Sequence, residues 1–154
     1  LNKDGINEGL MVDMKGGEIW FNIYNTTGKK IKEFELQVKG PGARVYKINK
    51  RRISSNTDIL ILHFYEGYND YLQFRGSARL YFITWDNNDF NTFSLYKGPV
   101  IFDEFEDVRG HYYRRNFDVS LIDFNNDGIK EILAKYHLIS KVYQYQQKGK
   151  WIGR

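Results

Sequence analysis

In the stretch DFNNDGIKEIL, Asp123, Asn125 and Asp127 stand at alternate positions, Gly128 follows directly, and Glu131 comes three residues later. With Asp123 counted as the first position of a loop, side-chain oxygens fall at positions 1, 3, 5 and 9, and the backbone carbonyl of Ile129 falls at position 7. Calcium takes a shell of about six to eight hard oxygen ligands, and alternate oxygens around a tight bend supply one, with a glycine to permit the reversal. The same residues also suit an Asx turn, in which Asp123 and Asn125 cap backbone amides without metal. Spacing alone leaves both readings open.

The first five positions resemble the loop of an EF-hand, but position 12 is Ala134 rather than a glutamate, and the strand-like ILAKY follows. A helix–loop–helix sensor is therefore not expected, and Glu131 has to act as the terminal acidic ligand. An echo of the loop opens the chain, in LNKDGINEGLM. Superposing Gly5 on Gly128 aligns Asn2 with Asn125, Asp4 with Asp127, Ile6 with Ile129 and Glu8 with Glu131. Position 1 of that copy would lie before Leu1. Half the offset points to FYEGYNDYL, where Leu62, Phe64 and Glu66 occupy positions 1, 3 and 5. This middle copy, 62–70, is expected to keep the turn and to have lost the ion. The loops at 1–9, 62–70 and 123–131 mark units of about 61 residues, a repeat architecture in which each unit needs neighbours to bury its faces.

These stretches look like the calcium loops of FG-GAP/VCBS repeats, the blades of integrin-alpha-like propellers. The resemblance implies a metal-ligand set of Asp123, Asn125, Asp127, the Ile129 carbonyl and Glu131, and a second set of Asn2, Asp4, the Ile6 carbonyl and Glu8. It implies Ca2+ as cofactor, an extracellular, cell-surface or periplasmic setting, and a role in binding or as an accessory part of a larger protein. The Phe-Gly…Gly-Ala-Pro segment that names the family has no clean match in this chain.

The elements that must position these loops are strands. The chain has 154 residues, no cysteine, two prolines, three alanines and 17% aromatic residues. Alanine is the best helix former, whereas tyrosine, phenylalanine, isoleucine and tryptophan suit half-buried sheets. Period-two segments bounded by turn residues predict strands at Leu10–Met14, around Trp20, and at Ile31–Val38, Ala43–Ile48, Asp58–Tyr65, Leu72–Phe74, Arg79–Trp85, Thr92–Lys97, Pro99–Phe102, Tyr112–Asp123, Glu131–Tyr136, Val142–Gln146 and Trp151-Ile152. A helical turn competes only at Glu104–Val108, and Lys50–Asn56 reads as a polar loop. The expectation is a single domain over 1–154, all-β and antiparallel, with β-propeller-like blades. Closed propellers need four or more blades, so about two and a half units imply an abbreviated array, a piece of something larger, or association with itself or with further blades. The opening within a polar turn, without a start methionine or a leader pattern, points to a processed product or a piece of a longer chain.

Other chemistry is sparse. The absence of cysteine excludes disulfides and thiolate metal sites. No run of 18 apolar residues occurs, so no transmembrane helix is expected. The formal net charge of +4 is mild. Its basic spots, Lys29-Lys30-Lys32, Lys47-Lys50-Arg51-Arg52 and Arg114-Arg115, read as mixed surface rather than a nucleic-acid stripe. His63, His111 and His137 lack ligand spacing, and His63 and His137 are expected to be packed. No nucleophile elbow or phosphate loop appears. A catalytic carboxylate pair could arise across blades, for example from Asp86 or Asp89 with Asp103, Glu104, Glu106 or Asp107. The leading expectation is a calcium-stabilised module that binds a protein or carbohydrate through exposed aromatics among Tyr65, Tyr68, Tyr71, Trp85, Tyr112, Tyr113 and Tyr145. A purely structural segment of a surface protein comes second and a hydrolase third.

Overall fold

A computed structural model of the chain describes residues 9–15, 18–36, 42–69, 73–86, 89–146 and 150–153. All regular elements among them are β-strands, and all pairings are antiparallel. The first sheet holds β1 (Gly9–Lys15), β2 (Glu18–Tyr24) and β3 (Lys30–Leu36). The central sheet holds β4 (Arg44–Arg52), β5 (Thr57–Asn69), β6 (Phe74–Asp86), β7 (Asp89–Glu106) and β8 (Tyr112–Asn116). The third holds β9 (Asp118–Ile122), β10 (Glu131–Tyr136), β11 (Ile139–Tyr145) and β12 (Trp151–Gly153). In each sheet, spatial order follows chain order, so all three are meanders. The all-β antiparallel expectation holds. Among the described residues no helix is long and apolar enough to cross a membrane.

The central sheet is covered on both faces. On one side Leu60, Leu62, Phe64, Tyr81, Ile83 and Trp85 pack against Ile19, Phe21, Ile23 and Leu36 of the first sheet. On the other, Ile59, Ile61, Leu80 and Phe82 pack against Ile132, Ala134, Tyr145 and Trp151 of the third. That is why ILILHF and RLYFITW read as continuous apolar runs and not as an alternation: over 59–62 of β5 and 80–85 of β6 the side chains on both faces are buried. Phe82 anchors the second interface, with its ring 4.8 Å from that of Trp151 and 6.0 Å from that of Tyr96.

Several boundaries differ from the sequence reading. The middle repeat loop at 62–70 is not a turn over its described part, because β5 continues through Asn69 with Glu66 opposite Ser77 and Gly67 opposite Gly76. The glycines serve ring packing there. A Cβ on Gly76 would meet the Tyr65 hydroxyl at 2.2 Å, so the bare backbone makes room for that ring. Asp70 lies outside the described residues. Thr92–Lys97, Pro99–Phe102 and the candidate helical turn from Glu104 merge into β7. Pro99 is tolerated because the β6–β7 register slips between Arg79 and Tyr81, and β8 pairs only with 102–106. Lys50–Arg52, read as loop, extend β4, and the turn follows, with Ile53 N–H donating to Thr57 O at 3.1 Å. Tyr112–Asp123 is two strands broken at buried Phe117, whose N–H donates to Ile101 O at 2.7 Å as the chain leaves the central sheet for the third. The described residues make three separate sheets and no closed ring.

Candidate metal centre

The loop 123–130 connects two neighbouring antiparallel strands. Asp123 follows the last residue of β9, and Glu131, the first of β10, pairs with Ile122. Asp123 accepts hydrogen bonds from the N–H groups of Asp127 (3.2 Å) and Gly128 (2.9 Å), which folds the loop back over its own start. Asn125 Oδ1 also accepts from Asp127 N–H at 3.1 Å, and its Nδ2 donates to Asp127 Oδ2 at 3.0 Å. Asp127 Oδ1 accepts from Ile129 N–H at 2.8 Å. Glu131 Oε2 takes the Phe124 N–H at 2.9 Å. The reversal uses left-handed backbone at Asn126 (φ 57°) and Gly128 (φ 84°), which glycine and asparagine adopt most readily. A nearby tie fixes the loop to the central sheet: Lys130 N–H donates to Ile53 O at 2.8 Å, and Ile129 packs on the core around Ile53.

This arrangement gathers carboxylate oxygens of Asp123, Asp127 and Glu131 within 4.8 Å of one another. Glu131 is 2% exposed. Among the described residues no lysine, arginine or histidine forms an ion pair with any of the three. An ionised carboxylate taken out of water needs a compensating charge or hydrogen bonds. An ionised carboxylate offers about four acceptor sites, and the amides above occupy two on Asp123, two on Asp127 and one on Glu131. The donor set fits a hard divalent cation, since all candidate ligands are oxygens and several lone pairs stay free. The hydrogen bonds are also those of the Asx turn that the spacing allowed, so the loop geometry serves both readings.

The other candidate residues are scattered. Asn2, Asp4, Ile6 and Glu8 lie outside the described residues. Asp86 and the 103–107 acids sit at opposite ends of β6: Asp103 pairs with Ser77, nine residues before Asp86, so about 30 Å of strand separates them. That exceeds the roughly 5–10 Å of a glycosidase pair. Two of those acids have work of their own. Asp103 binds Arg115 at 2.7 Å, and Asp107 caps the β7–β8 turn by accepting from Arg109 and His111 N–H. Of the aromatic candidates, Trp85 and Tyr145 are buried core. Tyr112 and Tyr113 are exposed but neighbours on one strand, so they point to opposite faces of β8. Tyr71 and the side chain of Tyr68 lie outside the described residues. His63 is half-buried against Asn49 (3.3 Å), as expected, whereas His137 is exposed in the β10–β11 turn at φ 50°.

One cluster has no signal in the sequence. Glu104 accepts from Tyr65 and Tyr112 hydroxyls, each at 2.6 Å, and Arg44 lies over the Tyr65 ring at 4.9 Å. Burial, followed by the bond to Glu104, pushes the Tyr65 pKa up to about 12. The clasp crosses the end of the central sheet from β4 to β8, and its tyrosine and glutamate are 39 residues apart, which no local pattern reveals. A scan against protein families, a search of curated proteins and a search of solved structures each gave no match to this chain.

Proposed function

We propose that the chain is a calcium-stabilised β-repeat module of extracellular, cell-surface or periplasmic type that binds a protein or carbohydrate partner. The observation behind this reading is the convergence of Asp123, Asp127 and buried Glu131 within 4.8 Å on a loop that Gly128 reverses. Asp123, Asn125, Asp127, the Ile129 carbonyl and Glu131 would hold the ion. When bound, Ca2+ supplies positive charge and cross-links the end of β9 to the start of β10. Through the Lys130–Ile53 bond the same loop braces the third sheet against the central one. In the finer architectural reading, the three meanders are blades of a propeller-like stack. It is supported by the order first sheet, central sheet, third sheet, with the middle one covered on both faces.

A structural segment of a larger surface protein is the second reading, favoured by the apolar residues that the outer sheets leave exposed. Met11 on β1 and Ile139 and Ile152 on the third sheet are 45–52% exposed. Titration calorimetry with Ca2+ and with Mg2+, followed by a crystal structure grown in calcium, tests the calcium reading. The expected result is one calcium-selective site with the ion among Asp123, Asp127 and Glu131. An absence of binding heat together with an ion-free loop in those crystals would remove the proposal.

A further inference from the structure

Strand β4 is an edge strand of unusual charge. Its nine residues include Arg44, Lys47, Lys50, Arg51 and Arg52, all exposed, and no acid. One carboxylate answers the row: buried Asp58 on β5 meets Arg52 at 3.0 Å and Lys50 at 3.8 Å. Among the described residues, Arg44, Lys47 and Arg51 have no acidic partner. Arg44 donates to the backbone carbonyl of Gly42 and lies over the Tyr65 ring, and Arg51 donates to the carbonyl of Lys50. The opposite edge, β8, differs. Its Arg115 binds Asp103, and its Arg114 stands opposite Glu104.

Register places Arg44, Lys47, Asn49 and Arg51 on one face of the strand, beside Tyr65, His63, Ile61 and Ile59 of β5. Alternate residues on a strand are about 7 Å apart, so Lys47 and Arg51 flank Asn49 at that step. Burial first, and then the charge of Lys47, hold the His63 pKa below its usual value, a sign that this lysine's field is felt on the face. On the other face, Ile48 is 38% exposed beside Lys50 and Arg52. The bulge between Val45 and Lys47 leaves Lys47–Arg52 as a regular run of six residues, the length of an ordinary strand. Among the described residues, no strand pairs with its outer side.

We infer that β4 receives an extended acidic segment of a partner protein by strand addition, with main-chain bonds along Lys47–Arg52 and the partner's carboxylates beside Lys47 and Arg51, on the face they share. Outward-facing amides and carbonyls of an edge strand template such pairing. Charge selects the occupant. A second copy of β4 would set cation against cation, since like charges directly opposite are destabilising. An acidic strand reverses the sign at every contact. The inference deepens the binding-module reading by naming a partner class, and the site needs no calcium.

The test is fluorescence anisotropy of a labelled nine-residue peptide alternating glutamate and valine, measured with the intact chain in calcium and again in chelator. Binding is expected in both conditions, and it should weaken as salt rises from about 0.1 M to about 1 M, where the screening length falls from about 10 Å to about 3 Å. The exposed double variant Lys47→Glu/Arg51→Glu should bind about tenfold more weakly or worse, with an unchanged circular dichroism spectrum. On the wild-type chain, a peptide N-methylated at every residue, which blocks both of its edges, should fail to bind, because it keeps the charge and loses the ladder. Equal binding of the N-methylated and parent peptides would overturn strand addition. Equal binding of a sulfated oligosaccharide or a single-stranded oligonucleotide, lost in the same double variant, would overturn the protein partner in favour of a general polyanion surface. Loss of peptide binding in chelator alone would overturn the independence from calcium.

Discussion

Replacing Asp127 by asparagine should shift stability in opposite directions with and without calcium. The substitution keeps an oxygen for the Ile129 N–H and removes one of three negative charges gathered within 4.8 Å. At that separation two ionised carboxylates repel by about 1 kcal/mol in water and about 3 kcal/mol at an effective dielectric of about 20. Asp127 is exposed, so the lower figure is the appropriate one. In chelator, Asp127→Asn should therefore stabilise by about 1 kcal/mol, raising Tm by about 2–4 °C for a chain of this size. In calcium at about a hundredfold above Kd, the wild type should gain about 2.7 kcal/mol, or about 5–11 °C, and the variant should gain little. The two melting profiles exchange order between the conditions. Circular dichroism melts of both chains, in Ca2+, in Mg2+ and in chelator, read the result directly. A wild-type Tm unmoved by chelation would refute the reasoning. So would an equal calcium shift in the variant, because the ion would then be held without the Asp127 carboxylate.

Two further outcomes follow from packing and titration. Gly98→Ala should cost about 1–3 kcal/mol, measured by urea unfolding, because an added Cβ would meet the Leu80 carbonyl oxygen at 2.8 Å and the Phe82 ring at 2.9 Å. The raised Tyr65 pKa means that the folded state keeps a proton which the unfolded chain releases near pH 10. Its contribution to stability is present below about pH 10 and is lost as pH rises towards about 12. Tyr65→Phe should accordingly flatten the alkaline loss of Tm and remove the last-titrating tyrosinate from the ultraviolet absorbance curve.

Strands were readable where one face is wet or a turn is chemically marked. Glu131–Tyr136 and the Trp20 segment appear at nearly the expected bounds, and the 123–131 loop is the hairpin that its Asp-Gly signal announced. Reading failed where tertiary structure overrides local pattern. Gly67 looked like a turn, but it pairs across β6 because a ring from two residues earlier needs the space. Pro99 looked like a boundary, but it sits where β7 has lost its outer neighbour. Phe117 looked like mid-strand, yet the chain changes sheets there. Of the candidate site, the convergence of Asp123, Asp127 and Glu131 was readable because these residues are local in sequence. The ties that make it matter to the whole fold, Lys130 to Ile53 and Glu131 into the interior, depend on contacts with no short-range signature.

A central sheet buried on both sides has a consequence for how the molecule opens. Neither outer sheet owns a complete interior, since each borrows half of it from β5 and β6. Peeling away either one bares a wall of Leu, Ile and Phe while the opposite side stays sealed. Amide hydrogens of β5 and β6 should therefore exchange only when the entire molecule unfolds, whereas those of β1 and β12 escape through smaller openings. The chain then behaves as one cooperative unit with a hierarchy of exits, and whatever holds the loop before Glu131 closed governs the exit on the third-sheet side.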